Sequence, residues 1–303
     1  MSLGAGARIH EWDGTDVGAL MEHCYEQGWS DGLPVVPPLE ALVEAMVAAD
    51  SRPPETVVVT HPATGRECTL LAAAVNAVMA GCRPEYFPVL VAALEAANTP
   101  EYSFHASTAS TGGSAPLLVV AGPVVDAIGM NAGGNVFGPG NRANATIGRA
   151  MRLVIMNVFR MIPGISDQST QGQPGKYSFC IAERADASPW EPLSVDLGFA
   201  EEDSTVTVYA GAGFSNVENH GGNQPEQILG SMADAMANLG CLTVGQSVVV
   251  LSPEHARIMR QANWSRSDVR TFLYENATRT VEQMRRVGRY RDREHARYGE
   301  EKI

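Results

Sequence analysis

Apolar residues recur at helical spacing from Val17 to Gln27, where Gly28 closes the run, and again from Leu39 to Ala49. Between these two predicted helices, Trp29-Ser-Asp-Gly-Leu-Pro-Val-Val-Pro-Pro38 is too rich in proline to be helical and is expected to be extended. Its Trp29-Ser30-Asp31-Gly32 start reads as an Asp-Gly turn beside a packed tryptophan. Val57–Thr60 is a short β-branched run and reads as a strand. Thr69–Ala80 and Pro84–Ala97 are apolar nearly all round, which predicts two helices buried on several sides. Asn76, the lone strongly polar side chain in the first, is expected to be a core amide with its hydrogen bonds made.

Farther along, Pro116–Ala121 reads as a buried strand and Ala143–Met161 as a long helix. Tyr177–Ala182, Thr205–Tyr209 and Ser247–Leu251 read as strands, and Gln224–Asn238 and Glu254–Ala262 as helices. Ser252-Pro253 supplies a capping serine with proline at the first helical position. From Ser265 onward the pattern is helical. This alternation implies an α/β fold: a mixed, partly parallel sheet with flanking helices. An internal echo suggests a pseudo-duplicated core. Val119-Val-Ala-Gly122 is followed by Asn131-Ala-Gly-Gly-Asn135 and a helix, and Val208-Tyr-Ala-Gly211 by His220-Gly-Gly-Asn223 and a helix. A single extended domain over 1–278 is expected, its first part (about 1–100) mostly helical, with an arginine-rich helical tail over 279–303.

Composition narrows the function classes. A net charge of −12 argues against partners with a phosphate backbone or an anionic membrane surface. No apolar run reaches the roughly 18–20 residues that span a bilayer. Met1–Asp16 carries Glu11, Asp13 and Asp16 where a secretory signal would be basic and then apolar. The five cysteines are widely and irregularly spaced without a CxxC pair, so reduced thiols and a cytoplasmic location are expected. Cys180 is expected to face the core.

The strongest local signal is an absence. The 40 residues between Asp126 and Asp167 contain no Asp or Glu, where composition would place about four or five. The same window holds Arg142, Arg149, Arg152 and Arg160. Within it, Gly133-Gly-Asn-Val-Phe-Gly-Pro-Gly-Asn-Arg-Ala-Asn-Ala-Thr146 runs into the predicted helix, whose N-terminus would offer unpaired N–H groups and a positive dipole end. This points to a small-anion site in which Asn135, Asn141, Arg142, Asn144, Thr146 and Arg149 grip a carboxylate or phosphate and Asn141 or Asn144 caps the helix. The competing reading is a capped helix after a structural glycine loop. The pattern is neither a dinucleotide fingerprint nor a Walker loop, and no cofactor is indicated.

Three further segments carry candidate chemistry. His220, in a glycine-rich loop past a predicted strand and oriented by Glu218, is the best acid–base candidate among seven histidines, weighed evenly against a loop histidine without a role. Lys176 and Tyr177 follow a Gly/Pro turn and would assist, weighed against a surface lysine on a hairpin. Thr111 and Gly112, within Ser107–Ser114, would add hydrogen bonds to an anion. No GxSxG elbow supports a serine hydrolase. No His pair at metal-ligand spacing accompanies His220, so no metal site is assigned and a metal-dependent hydrolase ranks last.

Gly28-Trp-Ser-Asp-Gly-Leu-Pro-Val-Val-Pro-Pro38, Ala80-Gly-Cys-Arg-Pro-Glu-Tyr86, Gly138-Pro-Gly-Asn-Arg-Ala-Asn-Ala-Thr-Ile-Gly-Arg149, Gly172-Gln-Pro-Gly-Lys-Tyr-Ser-Phe-Cys180 and Asp203-Ser-Thr-Val-Thr207 resemble a large bacterial family. Its members tend to be paired with a small protein carrying a Sec-Gly-Ser-Cys or Cys-Gly-Ser-Cys motif. The likeness runs from about Gly28 to about Tyr274, and the tail beyond Thr278 lies outside it. The resemblance implies a two-component enzyme whose partner brings a reactive selenol or thiol, and it assigns no catalytic residue. This chain has no Cys-Gly-Ser-Cys of its own. The expectation is therefore an enzyme subunit that binds a small anionic metabolite, with thiol- or selenol-dependent redox or addition–elimination chemistry. The alternatives are a self-sufficient lyase or hydratase and a non-catalytic scaffold. Self-association into a homo-oligomer is expected from the apolar helices.

Overall fold

A computed structural model describes residues 10–238 and 245–288. The chain divides into two compact units: residues 1–185 with 192–214, and residues 186–191 with 215–303. The physical reason is that the buried apolar side chains fall into separate cores. The first unit holds the large cluster that includes Phe87, Leu94, Ile147 and Phe159, and the second holds Ile228, Leu229, Met259 and Leu273.

The first unit begins with α1 (Val17–Glu26), capped by Asp16, and α2 (Glu40–Val47). A two-stranded antiparallel ribbon follows, β1 (Val57–Thr60) with β2 (Glu67–Thr69). Next come α3 (Leu70–Ala80), α4 (Phe87–Ala97) and the short α5 (Phe104–Thr108). The remainder is β3 (Ala115–Ala121), α6 (Val124–Ala127), α7 (Arg142–Asn157), β4 (Cys180–Ala182), α8 (Leu193–Asp196) and β5 (Thr205–Gly211). The second unit contains α9 (Pro225–Asn238), α10 (Pro253–Gln261), α11 (Arg266–Asn276) and α12 (Val281–Arg286).

The main sheet has the order β4-β3-β5, with β3 parallel to β4 and antiparallel to β5, so the fold is α/β with a mixed sheet. Leu118 stands in register with Cys180 on one side and Val208 on the other. Successive β3 side chains alternate between faces. Leu118 and Val120 join the large core, while Ala115 and Leu117 join a small one with Phe179 and Ile181. Both faces are thereby covered, and this is why the strand reads as an unbroken apolar run. α7 packs against α3, α4, β3 and β4.

α7 approaches the start of β4 so closely that only glycine fits at 148. A Cβ there would lie 2.5 Å from Ser178 Oγ and 2.7 Å from the Phe179 nitrogen. Asn76 is buried in α3 and bonded at both ends, as expected: its Nδ2 donates to the Ala72 carbonyl and its Oδ1 accepts from Asn157 Nδ2. Ser252 caps α10 with Pro253 at its first position, also as expected. Cys180 is buried, and the four described cysteines are free thiols.

Several elements differ from the sequence reading. α7 stops at Asn157, four residues short of the predicted Met161, because the chain leaves the helical path at Arg160 (φ 61°) ahead of Pro163. The predicted strand Tyr177–Ala182 is reduced to β4, since Pro174–Lys176 winds into a 3₁₀ turn that carries Tyr177 at its end. The predicted strand Ser247–Leu251 is irregular. Of the two echoing segments, β3 and β5 are neighbours in one sheet, while α9, the helix after the second, belongs to the second unit. α12 falls within the predicted helical tail, and residues 289–303 lie outside the described residues, as does Cys241. Among the described residues, no helix is long and apolar enough to cross a membrane.

Candidate anion site at the N-terminus of α7

The acid-free window folds into a glycine loop feeding α7, and its asparagines are consumed in building it. Asn141 is the N-cap: its Oδ1 accepts from the Asn144 nitrogen at 3.1 Å, while its Nδ2 donates to the Gly129 carbonyl at 2.8 Å. Asn144 is buried and clasps the backbone of Asn131, accepting from its N–H and donating to its carbonyl, both at 2.9 Å. Asn135 adopts a left-handed conformation (φ 59°), and its Nδ2 donates to the Pro139 carbonyl. Thr146 donates its hydroxyl to the Arg142 carbonyl one turn back. These four side chains shape the loop, each of them bonded to backbone. The N–H groups of Arg142 and Ala143 precede the first helical bond and have no helical acceptor.

The three arginines of α7 separate sharply. Arg149 is locked to Asp31, with Nε and Nη2 donating to the two carboxylate oxygens at 2.9 and 2.8 Å. The same Nη2 also donates to the carbonyls of Leu33 and Pro34. This fork holds the Trp29–Pro38 segment on α7, so Asp31 has a partner as well as a place in a turn. Arg152 is buried against Asp167 and the Lys176 carbonyl. Arg142 is exposed and makes one described contact, from Nε to the carbonyl of Gly81 at 3.0 Å, where left-handed Gly81 caps α3. It has no carboxylate partner among the described residues.

Beside the loop, Phe137 and Phe214 lie nearly parallel, their ring centroids 6.3 Å apart, with Phe179 within about the same distance of both. Phe137 and Phe214 are 47% and 59% exposed, giving the loop an apolar neighbour that the residue pattern alone did not reveal.

Lys176 is placed away from open solvent. Its Nζ bonds both oxygens of Asp167, at 2.8 and 2.6 Å, and Ser169 Oγ donates to the Gly112 carbonyl. Thr111 accepts from the Thr170 nitrogen through its carbonyl. Thr111 and Gly112 thus tie down the Asp167–Thr170 segment through backbone oxygens. Asp167, the first acid after the window, was missed in the sequence; the signal was its position at the edge of an arginine-rich stretch. Burial opposes its charge, yet the Lys176 and Ser169 hydrogen bonds win and hold its carboxyl below the ordinary range. Tyr177, next to Lys176, is exposed.

His220 and Glu218 belong to the second unit. Their side chains are 91% and 75% exposed and stand 3.7 Å apart, too far for a hydrogen bond. Asn219 between them anchors the loop, donating to the Gln227 carbonyl and Ser231 Oγ and accepting from the Gly222 nitrogen.

Burial opposes ionisation of the described thiols. Burial pushes Cys68 and Cys82 up to about 12, and raises Cys24 and Cys180 as well. The chain matches no protein-family model, no curated protein and no solved structure.

Proposed function

We propose that this chain is the substrate-binding subunit of an enzyme acting on a small metabolite with a carboxylate or phosphate, held at the N-terminus of α7. Arg142 is the observation that carries this reading. Arg149 and Arg152 on the same helix each have a carboxylate, while Arg142 is anchored at Nε and has no anionic partner among the described residues. A side chain fixed at its inner nitrogen, with its outer nitrogens unclaimed, suits bidentate recognition of a carboxylate or phosphate. The helix N–H groups add to it, and Phe137 and Phe214 would face the apolar part of the metabolite.

The chemistry belongs to the thiol- or selenol-dependent class, with the reactive group brought by a small Cys- or Sec-Gly-Ser-Cys partner. The high thiol pKa values of the four described cysteines support an outside source. A second reading, the non-catalytic scaffold, draws support from the exposure of His220 and Glu218. Lys176 acts as a held cation that orders the Asp167–Thr170 segment.

A thermal-shift screen of the purified chain against small carboxylates, phosphates and thiols tests the site. Ligands that raise the melting temperature should lose that effect in Arg142→Ala, whose melting temperature without ligand stays near the original. Hits that bind the variant equally well would refute it. Complex activity that survives His220→Ala would favour the scaffold reading for the second unit.

A further inference from the structure

His61 begins the turn between β1 and β2 and is fully buried. Its backbone N–H donates to the Arg66 carbonyl at 2.8 Å, and its carbonyl accepts from the Gly65 nitrogen at 2.9 Å. The side chain holds the same turn from inside: Nδ1 accepts from the Thr64 nitrogen at 3.2 Å, with Thr64 Oγ1 at 3.1 Å. A backbone N–H can only donate, so Nδ1 is the acceptor and the neutral ring carries its proton on Nε2. Nε2 is buried and has no hydrogen-bond partner among the described residues.

Aromatic rings enclose the rest of the imidazole. Its centroid lies 5.4 Å from Phe104 and 5.5 Å from His105, both on α5, and 5.6 Å from Phe159 past the end of α7. β1 packs on α4 and β2 on α3, so His61 fastens the turn of this ribbon to a separate place, α5 and Phe159. The charged and titratable side chains on these segments are Arg66 and Glu67, His105 and Arg160, all exposed. α3 carries none, and Glu95 on α4 is bonded to Arg52. Of these groups His105 is the one in ring contact with His61, and it brings only like charge. A protonated His61 therefore loses twice. The new hydrogen on Nδ1 faces the Thr64 N–H, donor against donor, and the charge meets neither water nor a carboxylate.

We propose that His61 is an acid-sensitive latch, whose proton uptake releases the His61–Arg66 turn from α5 and Phe159. Release puts the imidazolium in water and lets the ribbon open locally while the rest of the unit stays folded. Burial, helped by the like charge of His105, holds the His61 pKa below its ordinary 6.5, so the open turn takes up the proton more readily than the closed one. The closed state has its full advantage above that ordinary value and loses it as pH falls through the folded value. The latch operates whether or not Arg142 binds a metabolite.

The test is amide hydrogen exchange of the full-length chain at about pH 7.5 and about pH 5.5, each corrected for the intrinsic exchange rate. Amides of β1, β2 and the turn between them should open several-fold more at the lower pH, up to about tenfold, while those of α9 change little. His61→Asn keeps an acceptor for the Thr64 N–H and His61→Phe keeps an aromatic ring. Neither side chain titrates, so the acid response should vanish in both. Heteronuclear NMR of the histidine rings needs no variant: His61 should be the Nε2–H tautomer at the higher pH and should titrate below the ordinary 6.5. No acid response in the unaltered chain would overturn the proposal, as would a response that persists in both variants. A His61 ring that carries its proton on Nδ1, or that titrates at or above its ordinary value in the folded chain, would overturn it as well.

Discussion

Asn131–Asn141 leads into α7 and Glu218–Asn223 leads into α9, and both segments spell Gly-Gly-Asn ahead of a helix. In the first, Asn131, Asn135, Asn141 and Asn144 spend their amides on backbone, and one charged side chain, Arg142, is left anchored at its inner nitrogen. In the second, Asn219 and the Gln227 side chain do the anchoring, and His220 and Glu218 stand in solvent. The difference teaches that glycine-asparagine loops use their short polar residues on themselves. The binding capacity then rests with whichever longer side chain is held but not neutralised. An exposed histidine has neither the burial nor the fixed partner that would tune it for proton transfer.

The sharpest way to break this contrast is to dismantle the support behind α7. Asp167→Ala leaves Lys176 and Arg152 without their shared carboxylate and should cost about 3–5 kcal/mol in urea unfolding. The same carboxylate sets a pH signature. Its folded pKa lies below the ordinary 3.8, so its contribution is complete above that value and is lost as pH falls through the folded pKa. Acid unfolding of Asp167→Ala should therefore be less steep there than that of the unaltered chain.

Next in size, Gly148→Ala forces a methyl group onto Ser178 and Phe179 and should destabilise by about 1–3 kcal/mol in chemical denaturation. Asn141→Ala removes the cap and the tie to Gly129, a loss of about 1 kcal/mol in the same measurement, with weaker anion binding. At the small end, His220→Ala should leave stability within about 0.5 kcal/mol, because its side chain packs against little. A large loss there would mean that the second loop is built more like the first than its exposure indicates.

The same physics decides what could be read from the chain beforehand. α1, α2, α3, β3, α9 and α10 were legible because apolar patterning marks each, reinforced by Gly28 after α1 and by the Ser252 cap of α10. The cap of α7 was legible as Asn141 or Asn144, and it is Asn141. β2 was not: Glu67–Thr69 is three residues long and exists through its pairing with β1, a contact that local pattern does not encode. Tyr177–Phe179 read as strand because aromatic and apolar residues are β-prone, yet Pro174 starts a 3₁₀ turn. In the candidate site, charge sparsity singled out one helix but could not sort its arginines. Arg149 lies 118 residues from its partner Asp31, and pairing at that separation is a property of the fold.

The central claim is that Arg142 grips an anion, and direct titration tests it. A carboxylate or phosphate that stabilises the chain should be titrated calorimetrically into the unaltered protein, Arg142→Lys and Arg142→Ala. Binding that weakens by roughly tenfold in Arg142→Lys, where the charge survives without the fork, and further in Arg142→Ala would support bidentate capture at α7. Equal affinity in all three proteins would contradict it and move the anion away from this helix end.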